Sequence, residues 1–451
     1  MKRLVSLLMC LALLLSLGCA EELEFIGGFE EETYSDEEIL ELLGHDKTET
    51  SFLTDCRDLG GELTILTHYS LSKYNDYFEQ LTGCKVTQII CGVQEYSSKL
   101  QSLIASGEAP DLVVSESSTA PLFMVLAKEG LVQPFDPYID YSLPEFTDLR
   151  SFYEAGRWNG LHYLAPFDNK PLYYLIYDRN LFEEYGVETP WEHWLDGDWT
   201  WDTFRETVQQ MNISNGEGGY VCYGTTACAY GALTGSTGVD YVEVGDGTIK
   251  VNITDPAIAR AENYLNDMMY KDGVIRVKAQ NAWSGYWNRG MLAMQIIDSW
   301  MIDQADVTNA IEDGRLGICP LPQDPEYNIP GEYHTYSQAG GFCLVNGAKN
   351  PEAAAMYIRM LAYIPRYGDP FATKTREESL EALHEKGWDN ELLYQYYGVC
   401  RDTSSVIVSF GYSFMANNKI WVFMAQQNNW TSFIEGILPG LEESIREILE
   451  G

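Results

Sequence analysis

From Gly60 onward, short apolar runs alternate with stretches in which apolar side chains recur every three or four positions. GELTILTHYS, KVTQIIC and APDLVV are runs of the first kind and read as strands. Between them, SKYNDYFEQLTG sets Tyr74, Tyr77, Phe78 and Leu81 on one helical face and stops at Gly83. YSSKLQSLIASG does the same with Tyr96, Leu100, Leu103 and Ile104, ending at Gly107. PLFMVLAKEG is a third helix, opened by Pro121 and closed by Gly130. The order β-α-β-α-β-α predicts a parallel sheet with helices on both faces. Nearly continuous apolar strands such as TILT and DLVV suit burial on both sides.

The alternation resumes further on. TWDTFRETVQQMN reads as a helix with Thr200 as N-cap and Asp202 in its first turn. DPAIARAENYLNDMMYKDG is a longer helix, capped by Asp255 with Pro256 at its first position. GMLAMQII, LGICPLP and GGFCLV are strand-like, NPEAAAMYIRMLAY is a helix capped by Asn350 and Pro351, and the chain ends in an amphipathic helix. No internal repeat is visible. At 451 residues the chain exceeds one ordinary core, and domains run to roughly 100–200 residues each. The expected fold class is therefore α/β with two lobes, each a mainly parallel sheet flanked by helices, and a hinge between them. Open α/β sheets bind ligands beyond the carboxyl ends of their strands, and two such edges can close on a solute.

Charge and the N-terminus narrow this further. The chain carries 67 acidic and 29 basic residues, a net charge of −38. That field repels nucleic acids and anionic lipid headgroups, and suits neutral or cationic solutes. Lys2 and Arg3 precede an apolar run from Leu4 to Leu17, the grammar of a secretion signal and too short for a spanning helix. Cys19 follows the small Gly18 and resembles the lipidated cysteine of a lipoprotein signal, with Ser16 where that pattern has leucine. A plain signal peptide cut nearby is the other reading. No other apolar run is long enough to cross a membrane. Residues 20 to about 58 are strongly acidic and read as a solvated tether with a short helix near Asp36–Leu43.

The cysteines beyond the signal are Cys56, Cys84, Cys91, Cys222, Cys228, Cys319, Cys343 and Cys400. They form no CxxC pair and lack histidine partners at zinc spacing, so neither a metal cluster nor a cofactor is expected. Cys84 with Cys91, and Cys222 with Cys228, are near enough to pair once exported, and free buried thiols are an equal expectation.

Several segments together resemble a known family. These are APDLVVSES, PLFMVLAKEGLVQPFDPYI, GLHYLAPFDNKPLYYLIYDRNLFEEYGVETP with TWDTF after it, YWNRGMLAMQIIDSW, and LGICPLP leading to GGFCLVNGAKNPEAAAMYIRML. In this order they resemble the family 1 extracellular solute-binding proteins, the lipoprotein receptors of carbohydrate ABC importers, a group that includes maltose-binding protein. The resemblance covers roughly residues 60–362. It implies a signal peptide over 1–18 and an acidic tether over 19–59. The first lobe would comprise 60–164 and 320–365, and the second 165–319 and 366–451. Tyr163–Pro166 would be the first crossing between lobes, with Leu172–Tyr177 opening the second. The partners implied are a carbohydrate, the permease of an importer and the membrane through a lipid on Cys19. Nucleic acid is not among them, and the protein is expected to be a monomer.

A sugar receptor needs aromatic faces for the apolar side of a ring and charged or amide groups for its hydroxyls. Trp300 lies just past a strand-like run and matches a family tryptophan that stacks on sugar, against the alternative of a core residue. Trp283 is a weaker aromatic candidate, and Trp287 reads as core. Ser115 and Glu116 follow APDLVV, and Tyr69 follows the first strand. Asp168 and Asn169 follow the crossing, where Asp168 would contact ligand or simply pair with Lys170. Tyr230, Ser236 and Thr237 lie in the Gly-rich ACAYGALTGSTG, expected to border the second lobe's side of the cleft.

Catalytic signatures are missing: no HExxH, GxSxG or CxxC occurs. Asp196, Asp198 and Asp202 superficially suggest a calcium loop but lack its downstream glutamate and central glycine, so a helix-capping turn is expected. The sequence therefore reads as a receptor without catalytic function. Two other classes compete with it: a secreted polysaccharide-active enzyme with a similar aromatic cleft, and a receptor for peptides or polyamines.

Overall fold

The computed structural model describes residues 34–44, 51–92, 95–115, 122–166, 170–228, 231–279, 282–368, 371, 374–402, 404–411, 414–415, 420 and 429–450. Eleven strands build the parts that matter for function. They are β1 (Glu62–Thr67), β2 (Lys85–Ile90), β3 (Leu112–Ser115), β4 (Val132–Gln133), β5 (Ala165–Pro166), β6 (Tyr173–Asp178), β7 (Met294–Asp298), β8 (Leu316–Cys319), β9 (Thr335–Gln338), β10 (Gly341–Val345) and β11 (Val406–Ser409).

The first sheet has the order β2-β1-β3-β10-β4, with β5 also paired to β10. β1 runs parallel to β2, from Glu62 opposite Lys85 to Thr67 opposite Ile90, and parallel to β3 through Ile65 and Leu112. The helices between these strands end where the sequence says they should. Ser72–Thr82 stops because Gly83 takes a left-handed conformation at φ 66° that costs glycine nothing. Ile65, Leu66, Leu112, Val113 and Val114 are fully buried, each contributing about 1.5–3 kcal/mol on transfer from water. Asp111 fastens the layer. Its carboxylate accepts from Thr64 N and Asn350 N, each at 2.8 Å, and so ties β1 to the start of the helix Pro351–Tyr367.

β10 runs antiparallel to β3, β4 and β5. Its first residue, Gly341, meets the β5 backbone so closely that a Cβ there would lie 2.0 Å from Ala165 O. Only glycine permits that contact.

The second sheet has the order β7-β6-β8. In β6 every side chain is buried. Tyr173, Leu175 and Tyr177 join one hydrophobic cluster, whereas Tyr174 and Ile176 join another with Trp287, Ile297, Ile311 and Ile318. Asp178 ends the strand, caps the helix Arg179–Tyr185, and pairs with Arg315 Nη1 at 2.6 Å.

The expectation of a mainly parallel sheet in each lobe is corrected here. β6 is antiparallel to both β7 and β8, so this sheet contains no parallel pair among the described residues. A continuous apolar run signals two covered faces; it carries no information on direction. The long excursions between β6, β7 and β8 return the chain either way.

The acidic N-terminal stretch is also less solvated than expected, and Tyr34–Gly451 forms one compact unit. The helix Asp36–Leu42 starts in a capping box between Ser35 and Glu38 and buries Ile39 against Leu380 and Leu393. Phe52 and Cys56 sit in the main core. Arg359 binds Glu145 at 2.8 Å and Asp55 at 3.0 Å, tying this segment to the body.

None of the eight cysteines from Cys56 to Cys400 forms a disulfide among the described residues; seven are buried and Cys91 is half-buried. No helix among the described residues is long and apolar enough to cross a membrane.

Candidate functional site

The chain passes from the first sheet to the second between β5 and β6, and from β9, which pairs with β11, into the first sheet at β10. These two passages are laced to each other and to β7. Leu172 N donates to Tyr336 O at 2.7 Å, Ser337 Oγ to Lys170 O at 2.7 Å, and Ser299 N to Leu172 O at 2.9 Å. The end of β7 is therefore held beside the crossing. The turn Ser299–Asp303 follows, anchored by the buried Ile302. On that turn Trp300 is 60% exposed. A large indole left in water on a fixed turn is poor for folding and well suited to stacking.

Asp298, the last residue of β7, was not singled out by sequence reasoning. It lies opposite Tyr173 on β6 and is half-buried. Among the described residues its carboxylate has no hydrogen-bond or ion-pair partner, and it does not cap its own turn. Burial alone pushes the Asp298 carboxyl up to about 6. The signal in the sequence was a single charge closing the apolar run MQII, two residues before the candidate tryptophan.

Ser115 ends β3, where it pairs with Gly341, and Gly341 in turn pairs with Pro166 of the crossing. It is buried. Tyr69 is half-buried after β1; its N–H is taken by Thr67 Oγ1 at 3.2 Å and its carbonyl by Gln88. Ser115 and Tyr69 thus stand at carboxyl ends of the first sheet, and Asp298 and Trp300 at a carboxyl end of the second.

Trp283 packs half-buried against the cluster containing Tyr174 and Ile297, whereas alternation along β7 turns Asp298 to the opposite face. Trp287 is buried and donates to Asp306 O at 3.0 Å. Ser236 and Thr237 were expected to border the cleft. Both are buried in the short helix Thr234–Thr237, with their hydroxyls donating to Leu233 O and Thr234 O, each at 2.7 Å. A glycine-rich run supplies tight turns as readily as a ligand loop. Cys19, Glu116, Asp168, Asn169 and Tyr230 lie outside the described residues.

The remaining polar clusters serve the fold. His162 Nδ1 lies 2.9 Å from Asp136, and His193 Nδ1 lies 3.0 Å from Asp198, at the capping turn where Gly197 closes a helix. A cavity of about 240 Å³ beside Tyr141, Phe146, Tyr153 and His162 contains none of the candidate ligand-binding residues. Among the described residues no group of three or more histidines, cysteines and carboxylates could hold a metal ion.

Two sheets linked by the passage from β5 to β6, with an exposed indole and an unmatched carboxylate at the end of β7 beside it, fit a two-lobed binding protein. The chain belongs to the bacterial extracellular solute-binding proteins, whose family model matches residues 67–362. Solved structures share the fold. An ABC substrate-binding protein from Listeria monocytogenes in complex with cycloalternan is 17% identical, with a TM-score of 0.59 over 86% of this chain and 98% of that one. The galacto-N-biose/lacto-N-biose I-binding protein of an ABC transporter from Bifidobacterium longum, in complex with lacto-N-biose, is 14% identical, with a TM-score of 0.60 over 86% and 98%. The Thermus thermophilus maltotriose-binding protein bound with maltotriose is 17% identical, with a TM-score of 0.52 over 85% and 100%. No curated protein matches the chain.

Proposed function

We propose that this protein is the substrate-binding receptor of an ABC importer and captures a saccharide between two lobes for delivery to a permease. The observation that carries the reading is Trp300, a 60% exposed indole on an anchored turn at the carboxyl end of β7. Family membership supports solute capture, and the saccharides bound by the similar structures support the ligand class. The lobes would comprise 60–164 with 320–365 and 165–319 with 366–451, with a hinge between them. Ligand contacts made to both lobes exist only in the closed form and so would drive closure. The protein would work as a monomer, held outside the cell by lipid on Cys19. Calorimetry across gluco-, manno- and galacto-oligosaccharides tests the reading. One member binds the native protein, and Trp300→Ala weakens that binding about tenfold or more, as loss of an aromatic platform implies. Undiminished binding by Trp300→Ala overturns the site, and turnover of an oligosaccharide overturns the function.

A further inference from the structure

We propose that Asp298 is the specificity-determining residue of the site and selects a saccharide that carries a protonated amine over its neutral counterpart. This rests on the receptor reading above and goes further by naming the ligand's charge.

The observation is a contrast among buried and half-buried carboxylates. Asp178 faces Arg315, Asp324 faces Arg260, and Glu145 faces Arg359. Asp240 accepts from Ser409 Oγ and Gly411 N, and Glu262 from Gly231 N, Thr234 Oγ1 and Tyr241. Asp298 alone in this group has nothing: no cation, no donor and no cap among the described residues. Other titratable groups stand on the elements around it. Tyr173 lies opposite on β6, Tyr333 donates to Tyr173 O, Lys170 lies in the crossing, and Asp303 ends the following turn. None of these bonds or ion-pairs with Asp298.

A partly desolvated carboxylate without a protein partner is poised to gain from a ligand that supplies one. Asp298 lies two residues from the exposed Trp300, at the carboxyl end of β7. A hydroxyl would give Asp298 one neutral hydrogen bond. An ammonium would give it a charge-assisted one and cancel the charge, the stronger interaction of the two. The overall charge of −38 raises the local concentration of such a ligand without choosing its position. The choice of position falls to Asp298.

The test is calorimetry at 0.15 M salt with glucosamine-, galactosamine- and mannosamine-containing oligosaccharides, each paired with its N-acetylated form, alongside the neutral oligosaccharides above. The native protein binds the amine member of one pair about ten- to a hundredfold more tightly. Asp298→Asn keeps the fold, because it removes a desolvated charge and changes net charge by one part in thirty-eight, yet it brings the two members to near equality. If only neutral saccharides bind, and Asp298→Asn binds them as the native protein does, the inference is overturned while the receptor reading stands. If no saccharide of any kind binds, both fall. If the amine preference survives in Asp298→Asn, the preference belongs to the general field and the assignment to Asp298 is wrong.

Discussion

Replacing Arg359 by leucine asks whether the acidic N-terminal segment belongs to the folded body. Glu145 is 1% exposed and accepts from Arg359 Nε at 2.8 Å, while Asp55 accepts from Nη1 at 3.0 Å. Without the guanidinium, the buried Glu145 loses the cation that faces it. Breaking such a pair from one side costs about 3–5 kcal/mol. Asp55 is exposed, and its carboxyl is held below the usual range first by the hydrogen bond from Arg359 and then by Ser51. Solvent screens that contact, so its share is about 0.5 kcal/mol. In urea, with a denaturant slope near 3 kcal/mol/M, Arg359→Leu should lower the unfolding midpoint by more than about 1 M. Asp55→Asn should lower it by only about 0.2 M on the same slope. The double variant Glu145→Leu with Arg359→Leu should recover most of the loss, because well-packed apolar side chains replace a buried ion pair at little cost. Tryptophan fluorescence follows the transition. A midpoint moved by less than about 0.3 M, or a double variant no better than Arg359→Leu, refutes the buried tie.

Asp240 should make stability pH-dependent in the opposite sense to an ordinary ion-paired carboxylate. Burial pushes its carboxyl up to about 7, although bonds from Ser409 and Gly411 pull the other way. The folded protein thus favours the protonated form. The stabilisation is complete below the unfolded value near 3.8 and is lost as pH rises to about 7, at up to about 1.4 kcal/mol per pH unit. Denaturant midpoints of native protein and Asp240→Asn should diverge over that window and differ by a constant above it; parallel profiles between pH 4 and 7 would count against the buried acid. In a thiol-titration assay, no more than one of the eight cysteines from Cys56 to Cys400, namely Cys91, should react before unfolding, and all eight should react after it. Fast reaction of two or more in the native state would contradict their burial.

Much of the architecture was legible locally. Thr200, Asp255 and Asn350 cap their helices through side-chain bonds to the first turn, and those bonds depend on residues only two or three positions apart. Gly83 stops its helix for an equally local reason. Strand direction in the second sheet was not legible, because pairing is settled by where long connections lead. The burial of Ile39, Phe52 and Cys56 was hidden by the acids around them, since three apolar anchors suffice to dock a stretch whose average composition reads as solvated. The site divides the same way. Trp300 was a candidate because it follows an apolar strand, a relation visible in sequence. Asp298 became distinctive only when every other buried or half-buried acid had been matched to its partner. Ser236 and Thr237 show the complementary ambiguity: hydroxyls in a glycine-rich run satisfy a turn or a ligand equally well, and here they donate to backbone carbonyls of their own turn.

The free cysteines carry a consequence for biogenesis. In the finished protein seven thiols are sealed, and burial pushes Cys84 up to about 11 and Cys222 and Cys228 up to about 12, so thiolate is scarce and oxidants meet little of it. A chain that emerges unfolded has no such shelter. Its eight thiols appear on the oxidisable side of the membrane together, with Cys84 and Cys91, and Cys222 and Cys228, close enough to cross-link wrongly. Native structure here is the antioxidant, and it protects only once complete. The vulnerable quantity is therefore a race between collapse and oxidation, and mutations that slow folding should lower yield in air far more than they lower the stability of molecules that have already folded.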